Sequence, residues 1–231
     1  MKVSVCLAAY NGEKYIKEQI ESILIQLSNK DELIISDDGS TDRTIEVIKS
    51  IADERIKLLD NSGNPGIVNN FSNALRHAAG DIIFLSDQDD VWNENKVKII
   101  TKELRNYDCV LHNAQLINSN GENINSDLFS IYKTRTGYFN NLLRNTYVGC
   151  CMAFRQELLN YILPIPSSIK MHDMWIALIS EKKGTTKLIN DKLINYRRHD
   201  NNASTTSHKS GYSRYFQLKY RLQMLINSVM R

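Results

Sequence analysis

Hydrophobic positions in the first part of the chain switch back and forth between two periods. Residues 2–9 form a short apolar run rich in β-branched side chains, stopped by Tyr10-Asn11-Gly12. Ile16, Ile20, Ile23, Leu24 and Leu27 then recur at helical spacing. Residues 33–35 form a second apolar run, stopped by Ser36-Asp37-Asp38-Gly39-Ser40, and Ile45, Ile48 and Ile51 mark a second helix. Residues 56–59 read as a third strand. Phe71, Ala74, Leu75 and Ala78 give a third helix, with Gly80 expected as its C-cap. Residues 82–85 form a fourth strand that runs into Ser86-Asp87.

This alternation predicts an α/β fold with a doubly wound, mostly parallel sheet and helices on both faces. Ligands of such sheets bind beyond the carboxyl ends of the strands. The polar clusters fall there: Tyr10-Asn11, Asp37-Asp38, residues 64–70 and residues 87–90.

The second half is less regular. Val97, Ile100 and Leu104 suggest a helix and residues 109–114 a strand, with a turn at Asn120-Gly121. Residues 127–145, rich in Tyr, Arg and Asn, read as a loop or short-helix insertion over the site. Residues 147–154 read as a strand, Leu193-Ile194-Asn195 as another, and the stretch after His199 is polar to about Gly211. Tyr212, Tyr215, Phe216, Leu222, Leu225, Ile226 and Val229 then share one helical face, with Arg214, Lys219, Arg221 and Arg231 interspersed. Such a basic amphipathic helix lies on an anionic membrane, docks on its own domain, or pairs with a second subunit in a homodimer.

Composition narrows the classes. The 231 residues suffice for one large α/β domain, and 42% hydrophobic with 24% charged residues is ordinary for a globular protein. A net charge of +3 gives no reason to expect a nucleic-acid partner. Cys6, Cys109, Cys150 and Cys151 form no CxxC pair, so they read as buried thiols rather than a disulfide framework or zinc site. No apolar run approaches the roughly 18 residues that span a bilayer. The expected location is cytoplasmic, with contact at the inner face of the cell membrane.

The chemistry sits at the strand ends. Asp87 and Asp89 stand two residues apart, so in extended chain they project to one side, with Asp90 beside them. That concentration of carboxylates suits a hard divalent cation, Mg²⁺ or Mn²⁺, whose other partners are phosphate oxygens. In Asp37-Asp38-Gly39-Ser40-Thr41-Asp42, Ser40, Thr41 and Asp42 read as caps for the next helix. Capping leaves the double acid unexplained, and a carboxylate there can accept the N3–H of a uracil or thymine ring. Trp92 and Trp175 read equally as sugar-stacking platforms or core.

Ala9-Tyr10-Asn11-Gly12, Asp37 to Asp42, Asn64-Pro65-Gly66 and Ser86-Asp87-Gln88-Asp89-Asp90-Val91-Trp92, in that order and spacing, resemble family 2 glycosyltransferases of the GT-A fold. The resemblance runs to about His199 and leans toward bacterial rhamnosyl- and galactosyltransferases of surface polysaccharide synthesis. It implies an inverting hexosyltransferase that carries a sugar from UDP-hexose or dTDP-rhamnose to a glycan or lipid-linked acceptor. It implies that Ala9, Tyr10, Asn11 and Glu13 line the nucleotide pocket, with Asn64 and Asn69 nearby, and that Asp37 reads the pyrimidine. Asp87 would contact the ribose or the metal shell, Asp89 would bind the metal, and His199 would complete that shell. Arg197 would neutralise the diphosphate. Asp173 in Met171-His172-Asp173-Met174-Trp175 would be the general base, with His172 its rival. The expected organisation is a catalytic domain over 1–210, divided into a nucleotide half (1–115) and an acceptor half (116–210), with a helical tail over 211–231. Two other readings are a sugar-phosphate nucleotidyltransferase and a non-catalytic nucleotide-sugar-binding module. Against the first, the loop after the opening strand holds one Gly and no Arg.

Overall fold

A computed structural model describes residues 1–199 and 213–231. The polar stretch after Asp200, Tyr212 and the expected boundary at 210 lie outside the described residues. The elements run β1 (Val3–Ala9), α1 (Ile16–Leu24), β2 (Glu32–Asp37), α2 (Thr44–Ser50), β3 (Ile56–Asp60), α3 (Ile67–Arg76), β4 (Ile82–Asp87) and β5 (Val91–Trp92). Then follow α4 (Lys96–Glu103), β6 (Cys109–Ile117), β7 (Asn123–Asp127), α5 (Leu128–Tyr132) and α6 (Tyr138–Leu143). The chain ends with β8 (Met152–Arg155), α7 (Leu159–Ile162), α8 (His172–Lys183), β9 (Thr186–Arg197) and α9 (Arg214–Val229).

One sheet takes the order β3-β2-β1-β4-β8-β6-β9-β5, with β7 paired to β6. Its first half is the parallel sheet that the alternating periods predict: β1 pairs in parallel with both β2 and β4, and β2 with β3. Every residue of β1 and β2 is buried, as expected of parallel strands covered on both faces. β8 breaks the pattern, running antiparallel between β4 and β6. The core follows this sheet, with Phe84, Phe154, Trp175 and Ile176 all at 0% exposure.

Several local expectations change. α3 stops at Arg76, so Gly80 is not its cap. Gly80 instead allows a close approach of two chain segments: its N–H donates to Ser4 Oγ at 2.8 Å, and a Cβ there would sit 2.6 Å from Ser4 N. α2 begins at Thr44, and the side chain that caps its start is Asp42, accepting from Thr44 N at 2.9 Å, not Ser40 or Thr41. Residues 147–154 are not one strand, because a 3₁₀ turn over Gly149–Cys151 precedes β8. Residues 127–145 do form short helices, α5 and α6. Both tryptophans are core: Trp175 donates its indole N–H to Ile162 O at 2.9 Å, and Trp92 packs on Phe84. All four cysteines are buried and free.

α9 docks on its own domain. Tyr220, Met224 and Ser228 are buried. Tyr220 Oη accepts from Lys170 N and Met171 N, each at 3.0 Å, and Lys182 Nζ caps the last turn at Ser228 O, 2.6 Å away.

The edge opposite the strand ends is held by a buried carboxylate. Glu32 accepts from Ser4 Oγ (2.5 Å), Ala79 N (2.8 Å), Lys57 Nζ (2.6 Å) and Lys2 Nζ (3.0 Å). Burial alone would push its carboxyl up, but these donors favour the ionised form and hold it at about 2. We expect Glu32→Gln to cost roughly 2–3 kcal/mol in urea unfolding at pH 7, the order for a charge-assisted hydrogen-bond set. A depressed carboxylate contributes stability above its ordinary 4.5 and loses it as the pH falls through about 2, so the gap between variant and wild type should close over that window.

Candidate active site

The carboxyl ends of β1, β2 and β4 stop in step: Ala9 pairs with Asp37, and Ala8 with Asp87. Beyond them the chain turns sharply, with Asn11 at φ 48°. The Gln88 side-chain amide prolongs the β1–β4 pairing past the strand. It accepts from Tyr10 N and donates to Tyr10 O, both at 2.8 Å. Gly12 makes room for this amide, since a Cβ there would lie 2.3 Å from Gln88 Oε1.

A pocket of about 300 Å³ opens over these ends. Ala9, Tyr10, Asp38 and Asn70 line one part, and Asp87, Asp89, Gly149, His172, Asp173 and Tyr196 the rest. Asp37 is buried behind it. One of its carboxylate oxygens accepts from Gly39 N (3.1 Å) and Ser40 N (2.8 Å), and the other from Ser40 Oγ (2.5 Å). Asp37 shapes the turn, and the acid that reaches the pocket wall is Asp38, steadied by Asn61 Nδ2 (2.7 Å) and Gly66 N (2.8 Å). Asn11 and Glu13 likewise frame the wall rather than line it. Asn11 Oδ1 accepts from Thr41 N at 2.8 Å and Glu13 Oε2 from Arg43 N at 2.9 Å, tying the loop after β1 to the start of α2. Asn69 bonds back to Asn64 Oδ1 (3.1 Å) and Pro65 O (3.2 Å) on the surface. Its neighbour Asn70 lines the pocket and donates to Ala9 O at 3.0 Å.

The acidic end of β4 is layered. Asp89 Oδ2 meets His199 Nε2 at 2.8 Å, and Asp89 borders the pocket. Asp87 is pushed up to about 7 by burial first and then by the charges of Asp89 and Asp173. Asp90 lies deeper, raised by burial and the same neighbours, with one oxygen accepting from Arg197 N at 3.0 Å. Below them Lys96 is fully buried, its ammonium 4.0 Å from the Trp92 ring centroid and 3.1 Å from Cys150 O. Burial lowers it to about 8, opposed by the nearby thiols and by Asp90 and Asp87.

Arg197 is held beside the pocket rather than in its wall. It is buried and does not line the pocket. Its guanidinium bonds Glu18 Oε2 at 2.7 Å and Asp89 O at 2.9 Å, and lies over the Tyr15 ring. It joins β9 to α1 and to the chain after β4, which brings His199 onto Asp89.

Across the pocket, Asp173 sits in the first turn of α8, after the cap position Met171. Burial raises its carboxyl to about 6. His172 stacks on Phe71 with centroids 4.0 Å apart, and burial lowers it to about 3. Burial thus favours its neutral form.

The family model described as "Glycosyl transferase family 2" matches residues 4–163. The chain belongs to glycosyl transferase family 2. Among curated relatives, E. coli WfgD, a UDP-Glc:alpha-D-GlcNAc-diphosphoundecaprenol beta-1,3-glucosyltransferase, is 30% identical over 78% of this chain and 70% of its own. The putative teichuronic acid biosynthesis glycosyltransferase TuaG of Bacillus subtilis is 28% identical over 93% and 86%. Among solved structures, S. aureus TarS 1-349 in complex with UDP-GlcNAc superposes with a TM-score of 0.73 at 21% identity. The match covers 98% of this chain and 66% of that one, which is a likeness of fold. The GT-A architecture is therefore the one the motifs implied, and the nucleotidyltransferase and non-catalytic readings fall away: this chain is a glycosyltransferase.

Within this glycosyltransferase, Ala9, Tyr10, Asp87, Asp89, His172 and Asp173 meet around one pocket, with His199 against Asp89. Asp37, Asn69 and Arg197 stand beside it and do not line it. Asp38, Asn70 and Gln88 also belong to its lining, and the sequence places them in the strand-end polar clusters without an individual role.

The raised Asp173 has a consequence for stability. The folded state keeps that proton to about 6, whereas an ordinary Asp releases it at 3.8, so stability falls as the pH rises through this interval. Asp173→Asn cannot ionise. Calorimetry should show the variant melting above wild type at pH 8, by about 2–4 °C per kcal/mol recovered, with the gap narrowing toward pH 4. An equal Tm at pH 8 would contradict a buried charge at this position.

Proposed function

We propose that this glycosyltransferase transfers a sugar from a nucleoside diphosphate donor, UDP-hexose or dTDP-rhamnose, with inversion and in a single displacement. The acceptor is a glycan or lipid-linked glycan in bacterial cell-surface polysaccharide synthesis, reached at the inner face of the cell membrane. The observation that carries this reading is that Asp173, held at about 6, faces the Asp87–Asp89 strand end across one pocket. The names of WfgD and TuaG support the donor and acceptor classes.

The acceptor hydroxyl loses its proton to the Asp173 carboxylate while its oxygen bonds to the anomeric carbon. The bond from that carbon to the diphosphate oxygen breaks, and the nucleoside diphosphate leaves with the electron pair. Asp38 and Tyr10 bound the nucleotide side of the pocket. Asp87, held partly protonated near neutrality by its surroundings, can donate to a ribose hydroxyl, or lose its proton to solvent when a cation binds beside it.

Mn²⁺ or Mg²⁺ fits the residues present. Asp89 and His199 supply oxygen and nitrogen ligands at the pocket edge, with Asp87 adjacent. A second group, Asp87, Asp90 and Cys150, is also close enough to hold an ion. It lies next to the Lys96 ammonium, and burial keeps its thiol protonated, so it suits a hard cation poorly. When bound, the metal supplies positive charge for the departing diphosphate.

Asp89→Ala should abolish Mn²⁺-dependent UDP binding in calorimetric titration, and unchanged Mn²⁺ affinity would sink the assignment. Asp173→Asn should bind donor as wild type does yet lose transfer, by about 10²-fold or more. Wild-type transfer should rise as the pH passes about 6 and Asp173 ionises. Transfer that survives in the variant to within a few-fold would move the base elsewhere. A thermal-shift screen of nucleotide sugars with Mn²⁺ identifies the donor.

A further inference from the structure

α9 carries apolar side chains on two opposite sides. The inner side holds Tyr220 and Met224 against the domain, where α9 meets α6 and α8. On the opposite side Tyr215, Leu218, Leu222, Ile226 and Val229 form a stripe, each between 51% and 76% exposed. A contiguous apolar stripe on the side of a helix facing away from its own domain marks an interaction surface. α6 touches α9 through Tyr138 Oη and Ser228 Oγ at 2.5 Å, and adds the exposed Phe139 and Leu143.

The charges on the two segments that form this surface are of one sign. Residues 128–156 and 213–231, far apart in sequence, contain no Asp or Glu. Lys133, Arg135, Arg144 and Lys219 are exposed, and Arg221 is half-buried. No helix among the described residues is long and apolar enough to cross a membrane.

We infer that the outer stripe of α9, with Phe139 and Leu143 of α6, is a docking surface for an anionic lipid bilayer. The helix lies in the membrane plane, its apolar side chains at the acyl boundary and its cations among the headgroups. A second copy of the chain is the rival occupant. Twofold pairing of α9 with itself would bring Lys219 and Arg221 toward their own copies, with no acid on the helix to answer them. Anionic headgroups answer them directly. The inference deepens the lipid-linked-acceptor reading and gives the docking a purpose. Tyr220, on the inner side of the same helix, holds the backbone N–H groups of Lys170 and Met171, which lead into His172 and Asp173. The helix on the bilayer thus also seats the base that must meet a lipid-linked hydroxyl.

Co-sedimentation of the purified protein with extruded vesicles tests this. Wild type should pellet with vesicles of phosphatidylcholine mixed with phosphatidylglycerol, and much less with phosphatidylcholine alone. Leu222→Glu/Ile226→Glu should weaken binding by about tenfold or more. Lys219→Glu/Arg221→Glu should remove the preference for anionic vesicles, and both variants should keep the wild-type circular dichroism and UDP binding. The inference is overturned if wild type ignores anionic vesicles, or if Leu222→Glu/Ile226→Glu binds them as well as wild type. It is also overturned if sedimentation velocity shows a dimer that this variant dissociates while vesicle binding is nil. Sedimentation needs neither donor nor acceptor, so vesicle binding without transfer would count against the functional reading alone.

Discussion

Everything at the site depends on β1 being hydrogen-bonded in parallel on both flanks. Ala9 beside Asp37 and Ala8 beside Asp87 fix where the strands end relative to one another. A slip of one residue on either flank would exchange side chains between the two faces of the sheet and put Asp37 or Asp87 out of step with Ala9 and Ala8. The motifs are therefore neighbours in space because the apolar runs between them match in length. Gln88 extends the constraint beyond the last ladder bond by giving Tyr10 a side-chain partner in place of a strand.

The second organising fact is electrostatic. Asp87, Asp89 and Asp90 crowd into four residues, and burial raises two of them. Lys96, pressed on the Trp92 ring, gives that crowd an internal positive charge. Arg197 gives it a mechanical brace by bonding Glu18 and the Asp89 carbonyl. Asp173 stands opposite, and the burial that strains it as a charge also suits it to take up a proton. Stability is given up at the pocket and recovered at the far edge of the sheet, where Glu32 collects four donors from three segments.

The first four strands were legible because their period switches cleanly and each ends in polar residues. β8 was not, because a 3₁₀ turn and a short strand share one apolar run. β9 was read only at its apolar end, Leu193 to Asn195, since its first half is half-exposed and polar. The strand-end acids, Asp173 and His199 were visible through motif order and spacing. The choice between Asp37 and Asp38, or Asn69 and Asn70, was not, because adjacent residues differ only in which way the backbone turns. The contacts of Arg197 with Glu18 and the Asp89 carbonyl were not legible either, because Glu18 is far away in sequence. A buried lysine such as Lys96 leaves no trace in composition or periodicity.

The free cysteines carry one more implication. Burial raises the thiols of Cys6 and Cys150 well above their usual range and that of Cys109 to about 12, so none is a nucleophile in the folded state. Cys6 lies midway along β1 and Cys109 opens β6, both buried in the sheet, while Cys150 and Cys151 lie in the turn beside Asp87 and Asp90. The molecule thus contains two sets of native labels. Alkylation of the first pair reports global opening, and alkylation of the second reports opening of the turn beneath the pocket. The two rates measure how far the catalytic end breathes independently of its scaffold, with no engineered probe.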